Sequence, residues 1–307
     1  MRLALLGLLL SGPAVASYWE FESAVSKDRQ ALRAASEAAG SEARFLAQLA
    51  LEPDKIPLLR KQVDLSVSAA GDAAARARSL DGRCQEAWTE ADDAMRGQRR
   101  RPMPERSIVA NSASIEELWV YWRRLNQELA NIPPKGDLSA RKQAEEDINA
   151  AKLGLERAES RTKTMREDLE KLQSRHRQLR SLKDDIQTAA NQLGDASLAM
   201  QNLASPTKSR IEAIGTPPEN ENRTAASQKI EEFRSPSGTL NLAASTLLNR
   251  TDDFTRHWMS FEKTLQEFDA LRDANDPDFT DARRRLDEAK PLIDQARSQA
   301  AQNQNNP

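Results

Sequence analysis

The sequence predicts an all-α protein: an elongated helical bundle that contains a long antiparallel, coiled-coil-like hairpin. The first observation is a run of nine apolar positions spaced seven residues apart, with no proline between them. Such a repeat marks a helix with a continuous apolar seam against other helices. The nine positions are Ala144, Ala151, Ala158, Met165, Leu172, Leu179, Ile186, Leu193 and Met200.

A second seam and the composition support the same fold class. The second seam has two interleaved rows, which are Leu240, Leu247, Phe254, Phe261 and Phe268, and Ala244, Thr251, Trp258 and Leu265. Charged residues make up 30% of the chain, aromatic residues 5%, and only 11 of the 307 residues are glycine. This mixture favours long helices with narrow apolar stripes over β-sheets.

The long helix predicted from the first seam covers Leu138 to Leu203, with Asp137 as its N-cap and Ser205-Pro206 at its end. At 1.5 Å per residue it would be roughly 100 Å long. Its predicted partner, Thr239 to Arg272, would be only about 50 Å long. The difference in length predicts that the long helix also packs on other helices or on another chain. We therefore expect a protein partner or self-association.

The region before the long helix, residues 17–132, is predicted to be a bundle of three or four helices. The first helix covers Ser17 to Ala50, and the second covers Leu58 to Leu80 or continues to Met95. After the linker 97–106 (GQRRRPMPER), Ser114 and Glu117 form a capping-box pattern, which predicts a helix from there to Ile132.

Residues 133–300 are predicted to form the long helix, short connecting helices and C-terminal helices. Proline and glycine predict a loop at 215–222 and turns at Ser235-Pro236-Ser237-Gly238 and Asn275-Asp276-Pro277. The last residues, 301–307, are predicted to be a disordered tail.

The N-terminus resembles a secretory signal peptide. Arg2 provides a positive charge, Leu3 to Leu10 form an apolar core, and Ala14-Val15-Ala16 offers small residues for cleavage. This pattern predicts removal of residues 1–16 and export to the periplasm or the extracellular space. No later segment is apolar enough to span a bilayer, so we expect no stable membrane insertion of the mature chain.

Charge and cysteine content limit the possible partners. The formal net charge is −2, from 45 basic and 47 acidic residues, so we expect no nucleic-acid binding. Cys84 is the only cysteine, which leaves either a buried thiol or a disulfide between two copies. Asn222 and Asn249 begin glycosylation sequons, which matter only if the source is a eukaryote.

Two groups of residues are candidates for interaction. Trp119, Tyr121 and Trp122 cluster on one predicted helix; we expect the two tryptophans to pack in the core and Tyr121 to be more exposed. The basic run Arg99, Arg100 and Arg101 could bind an anionic surface, or it could be a solvated connector.

The long helix has another row of residues spaced by seven, beside the nine apolar positions, which contains Ile148, Leu155, Leu169 and Ala190. Three polar residues interrupt this row: Thr162, His176 and Lys183. Polar residues at seam positions fix register and partner choice at some cost in stability. We interpret them as register-setting residues, with the polar ends of His176 and Lys183 reaching water.

No motif predicts catalysis, a metal site or a cofactor. The sequence lacks HExxH, CxxC, an EF-hand loop, GxSxG and a glycine-rich phosphate loop. It therefore predicts an exported, non-enzymatic coiled-coil protein that acts as a scaffold, adaptor or client-binding module through its helix surfaces. Two alternatives stay open: a membrane-active, pore-forming-like protein, with 240–248 as its most apolar segment, and an enzyme whose site has no recognisable motif.

Overall fold

The computed structural model describes residues 13–98, 102–133 and 139–305. It has five α-helices: α1 (Pro13–Gln48), α2 (Ile56–Arg96), α3 (Pro104–Ala130), α4 (Ser139–Glu212) and α5 (Glu219–Asn305). Short 3-10 turns, Pro53–Lys55 and Ala213–Gly215, precede α2 and α5. The described residues contain no β-strand, and the helices pack against one another, so the predicted all-α bundle is confirmed.

The first seam is confirmed, since all nine of its positions are fully buried on α4. The predicted end of this helix at Ser205-Pro206 is wrong, because α4 continues through Pro206 to Glu212. The seven-residue spacing explains the difference: Met200 is followed by the buried residues Thr207 and Ile214. Pro206 itself is exposed, so its ring does not interrupt the packed face. The predicted N-cap, Asp137, lies outside the described residues.

The predicted turns at 235–238 and 275–277 are wrong, because both segments lie inside the single helix α5. A row of eleven buried residues, spaced by seven, continues through both sites: Ala226, Phe233, Leu240, Leu247, Phe254, Phe261, Phe268, Asn275, Ala282, Ala289 and Ala296. A proline inside a helix costs about 3 kcal/mol. Each large apolar side chain that is buried contributes about 1.5–3 kcal/mol. At Pro236, the burial of Phe233 and Leu240 therefore outweighs the loss of a backbone hydrogen bond.

The chain forms two units by its internal contacts. Unit 1 contains Met1–Glu90 and His176–Met259, and unit 2 contains Ala91–Arg175 and Ser260–Pro307. The predicted boundary at residue 132 falls inside unit 2, because α3 packs with the first part of α4 and the last part of α5. Residues 301–305 of the predicted disordered tail are helical, and 306–307 lie outside the described residues.

Unit 1 is built from α1, α2 and the adjoining parts of α4 and α5. The α2 helix runs without a break to Arg96, as in the longer of the two predicted versions. Asp28 is a buried charge in this unit, and it accepts hydrogen bonds from Ser79 Oγ at 2.7 Å and Arg83 Nε at 2.9 Å. Burial alone would raise the pKa of Asp28, but these hydrogen bonds outweigh it and hold the pKa below its usual value. The cluster thus ties α1 to α2.

Unit 2 contains α3 and the cluster of buried apolar residues around it. The α3 helix begins at Pro104, and the predicted start at Ser114 is wrong. The reason is that Ser107, Ile108 and Asn111 are already buried at helical spacing, so Ser114 lies in mid-helix. Proline is well suited to the first turn of a helix, where its missing N–H has no partner to lose.

The antiparallel hairpin of α4 and α5 is present in each unit. In unit 2, Thr162 accepts a hydrogen bond from Asn275, and Arg285 Nη1 lies 3.4 Å from Asp147 Oδ1. In unit 1, Arg250 Nε lies 3.3 Å from Asp185 Oδ2, and Thr207 Oγ1 donates to the backbone carbonyl of Lys229 at 3.4 Å. Residue numbers rise on one helix as they fall on the other, which is the signature of antiparallel pairing.

Three glycines within the helices of unit 1 offer a test of the packing. A Cβ added at Gly82, Gly194 or Gly238 would meet no atom within 4 Å. Alanine is favoured over glycine in a helix interior by about 0.5–1 kcal/mol per site. We expect the triple alanine variant to gain about 2 kcal/mol in the free energy of unfolding, measured by urea denaturation.

Gly40→Ala is the matched control for this prediction. A Cβ at Gly40 would lie 2.2 Å from Asn241 Nδ2, so the amide would have to move. We expect little or no gain there. A gain at Gly40 equal to that at Gly82 would contradict the close approach of α1 and α5 at this point.

Candidate interaction groove

The strongest candidate site is an open groove of about 630 Å³ between α3 and α4 in unit 2. We call it the tryptophan groove. It is lined on α3 by Ser112, Ile115, Glu116, Trp119, Trp122 and Arg123, and on α4 by Glu159, Thr162 and Arg166. The α3 residues recur every three or four positions, so they share one face of the helix. The groove therefore contains two of the three aromatic residues selected from the sequence.

Trp119 and Trp122 form a T-shaped pair whose ring centroids are 5.4 Å apart. Both are half-buried and pack against the apolar cluster of unit 2. The indole N–H of Trp122 donates to the backbone carbonyl of Ile148 at 3.0 Å, which fixes that ring on α4. The indole N–H of Trp119 has no acceptor among the described residues. Trp122 thus anchors the pair, and Trp119 keeps a polar atom available.

Tyr121 does not line the groove, and like the two tryptophans it is half-buried. Its hydroxyl donates to Asp287 Oδ1 at 3.1 Å, so its ring is directed toward α5. Burial raises the pKa of this phenol, and the neighbouring Asp287 carboxylate raises it further. Tyr121 therefore joins α3 to α5 and is half-buried against the cluster.

The positive and negative side chains of the groove occupy different parts of its length. Arg166 lies at one end, where its guanidinium donates to Ser112 Oγ at 2.9 Å. Arg123 lies toward the other end, two helical turns beyond Glu116. Glu116 and Glu159 come between them. The positive charges are thus at the ends of the groove and the negative charges in its middle.

A buried polar layer lies beside the groove, and the sequence predicted only one of its members, Thr162. Asn275 is fully buried; its Nδ2 donates to Thr162 Oγ1 at 3.3 Å, while its Oδ1 has no partner among the described residues. Asn111 Nδ2 approaches Met165 Sδ at 3.5 Å in the same layer. Buried polar layers of this kind specify register at a cost in stability. The signal for Asn275 was present in the sequence, since it lies seven residues after Phe268 and seven before Ala282.

The other two register candidates converge on a single ring in unit 1. His176 stacks on Trp88 with ring centroids 6.2 Å apart, and Lys183 Nζ lies 5.1 Å from the centroid of the same indole. Lys183 also lies 2.7 Å from Asp184 Oδ1. A cation above a tryptophan ring is attracted by the negative face of the ring. The register role of Thr162, His176 and Lys183 stays a prediction, and these are the contacts through which it would act.

The single cysteine is fully buried in unit 1. Burial raises the pKa of the Cys84 thiol to about 12, and the nearby Asp81 carboxylate acts in the same direction. Because disulfide formation needs an accessible thiolate, the folded chain does not present Cys84 to a second copy. Of the two alternatives from the sequence, the buried thiol describes this structure.

Arg99, Arg100 and Arg101 lie outside the described residues. Within residues 13–98, 102–133 and 139–305, no three His, Cys, Asp or Glu side chains form a possible metal-binding group. No helix in these same ranges is long and apolar enough to cross a lipid bilayer. Comparison of the chain with protein-family models, curated proteins and solved structures finds no match.

Proposed function

We propose that this protein is an exported, non-enzymatic helical binding module, a scaffold, adaptor or client-binding protein that contacts a protein partner through the tryptophan groove. The observation that carries the proposal is a half-buried tryptophan pair lining an open groove of about 630 Å³. Tryptophan is among the residues that contribute most to binding energy at protein interfaces.

The two tryptophans suit this role in different ways. Trp122 is held in place by its hydrogen bond to Ile148, so it needs little ordering when a partner binds. Trp119 has an indole N–H without an acceptor, and a partner carbonyl could accept from it. The site thus combines a fixed apolar wall with a directional polar contact, as small binding pockets commonly do.

Site-specific photocrosslinking tests the proposed contact surface. A benzoylphenylalanine placed at position 123, inside the groove, should give a discrete crosslinked product in the extracytoplasmic fraction of the native host. The same group at Val109, which is 69% exposed and does not line the groove, is the matched control. Adding Trp119→Ala should reduce the product from position 123 several-fold. Equal products from the two positions, or a product that Trp119→Ala leaves unchanged, would refute the groove as the contact surface.

Export is tested separately, by the mass of the N-terminal peptide of the protein recovered outside the cytoplasm. We expect the mature chain to begin at Ser17. The first described buried residue of α1 is Val25, so cleavage after Ala16 removes no described part of the core. Recovery of a chain that retains residues 1–16 would contradict the cleavage.

A further inference from the structure

We propose that the partner segment that occupies the tryptophan groove is basic, with a lysine or arginine side chain seated between Glu116, Glu159 and the tryptophan pair. This inference rests on the proposed binding function and adds the chemistry of the occupant. Three features of the groove carry it: an acidic pair at its middle, the aromatic rings beside that pair, and its length.

The acidic pair spans the groove. The contacts between Ser112 and Arg166, and between Trp122 and Ile148, show that α3 and α4 run antiparallel. Glu116 lines the groove from α3, and Glu159 lines it from α4. Neither carboxylate forms an ion pair with any residue that the structure describes. Two negative charges therefore line the same groove, and neither is held in an ion pair.

The aromatic pair favours a cation at this place. Glu116 and Trp119 are one helical turn apart on the same face of α3, so one ligand group can contact both. The face of an indole ring attracts a lysine ammonium or an arginine guanidinium. A cation held between an indole and a carboxylate is attracted by both groups, whereas an anion would be repelled by Glu116 and Glu159.

The two arginines of the groove do not oppose this assignment. Arg166 is engaged with Ser112 at one end, and Arg123 lies toward the other end. From Ser112 to Arg123 the lining of α3 extends over about 16 Å. That length matches roughly five residues of an extended chain. The groove therefore fits a peptide segment with a central basic residue rather than an isolated small cation.

The test is fluorescence anisotropy at low salt with a labelled decapeptide that contains four arginines, and with the same peptide carrying glutamine in their place. The unsubstituted mature protein is compared with the double variant Glu116→Gln/Glu159→Gln and with the variant Trp119→Ala. The matched control is Glu146→Gln/Glu170→Gln, which removes the same two charges from exposed positions of α4 outside the groove. Circular dichroism melting verifies that each variant is folded.

We expect the arginine peptide to bind, the glutamine peptide not to bind, and each groove variant to weaken binding about tenfold, while the control loses less than about twofold. If both peptides bind equally and Trp119→Ala weakens both, the groove is a binding site but its occupant is not basic, and only this inference fails. If the arginine peptide binds the groove variants and the control with equal affinity, the peptide is attracted non-specifically to acidic residues of the protein surface. This inference and the proposed groove contact then both fail.

Discussion

Leu172→Asp is expected to lower the free energy of unfolding by more than about 3 kcal/mol, because it removes a buried apolar side chain and buries an unpaired charge. Leu172 lies at the centre of the α4 seam, between Met165 and Leu179, and is fully buried. No described basic residue occupies the seam positions one heptad to either side. Urea denaturation at neutral pH, followed by circular dichroism, measures the loss.

The control must be chosen from the structure rather than from the repeat alone. Gln173 is next to Leu172, but its Nε2 donates to Glu105 Oε1 at 3.0 Å, so an aspartate there would face another carboxylate. Ser174 is exposed, and Ser174→Asp is therefore the better control, with an expected change within about 0.5 kcal/mol. Equal midpoints for Leu172→Asp and Ser174→Asp would refute the heptad frame of α4.

Phe254→Ala is expected to cost about 3–5 kcal/mol, the usual range for truncation of a buried phenylalanine. Phe254 is fully buried on α5, and its ring centroid lies 6.4 Å from that of Phe21 on α1. The cost combines lost burial with a cavity that the surrounding helices can fill only in part. Thermal and urea unfolding both report it.

Two further variants separate cavity formation from a general effect of losing an aromatic ring. Phe254→Leu keeps most of the volume and should cost less than about 1.5 kcal/mol. Phe45, on α1, is 46% exposed, and Phe45→Ala should cost less than about 1 kcal/mol. A loss at Phe45 as large as that at Phe254 would contradict the placement of the α5 seam in the core of unit 1.

The seven-residue pattern predicted the packing of the long helices better than local breaking signals did. The turns expected at 235–238 and 275–277 followed from proline and glycine, whose effect extends over one turn of helix. The row from Phe233 to Leu240, and from Phe268 through Asn275 to Ala282, stays in phase across both sites. A seven-residue spacing maintained over many turns therefore indicated a continuous helix. The free energy lost with the missing backbone hydrogen bonds is smaller than the free energy gained by burial of the whole row.

The candidate groove could be predicted only in part. Trp119 and Trp122 stood out because tryptophan is rare and the two lie on one helix. Glu159 comes from a helix that is distant in sequence, and nothing in the pattern of α4 sets it apart. Thr162 stood out as a polar seam residue, but not as part of a groove. Their approach to α3 depends on how α3 and α4 pair, which the contacts of Arg166 and Trp122 define. Periodicity predicts which face of a helix is buried, but not which helix covers it.

The division of α4 and α5 between the two units has a consequence for biosynthesis. Unit 2 is completed by residues 260–305, which are synthesised after α3 and the first part of α4. Until that segment arrives, Ile148 and Leu155 lack the cover that Leu286 and Ile293 of the same cluster provide. A chain that lacks this segment therefore exposes apolar side chains to solvent and is prone to aggregate until the segment is synthesised.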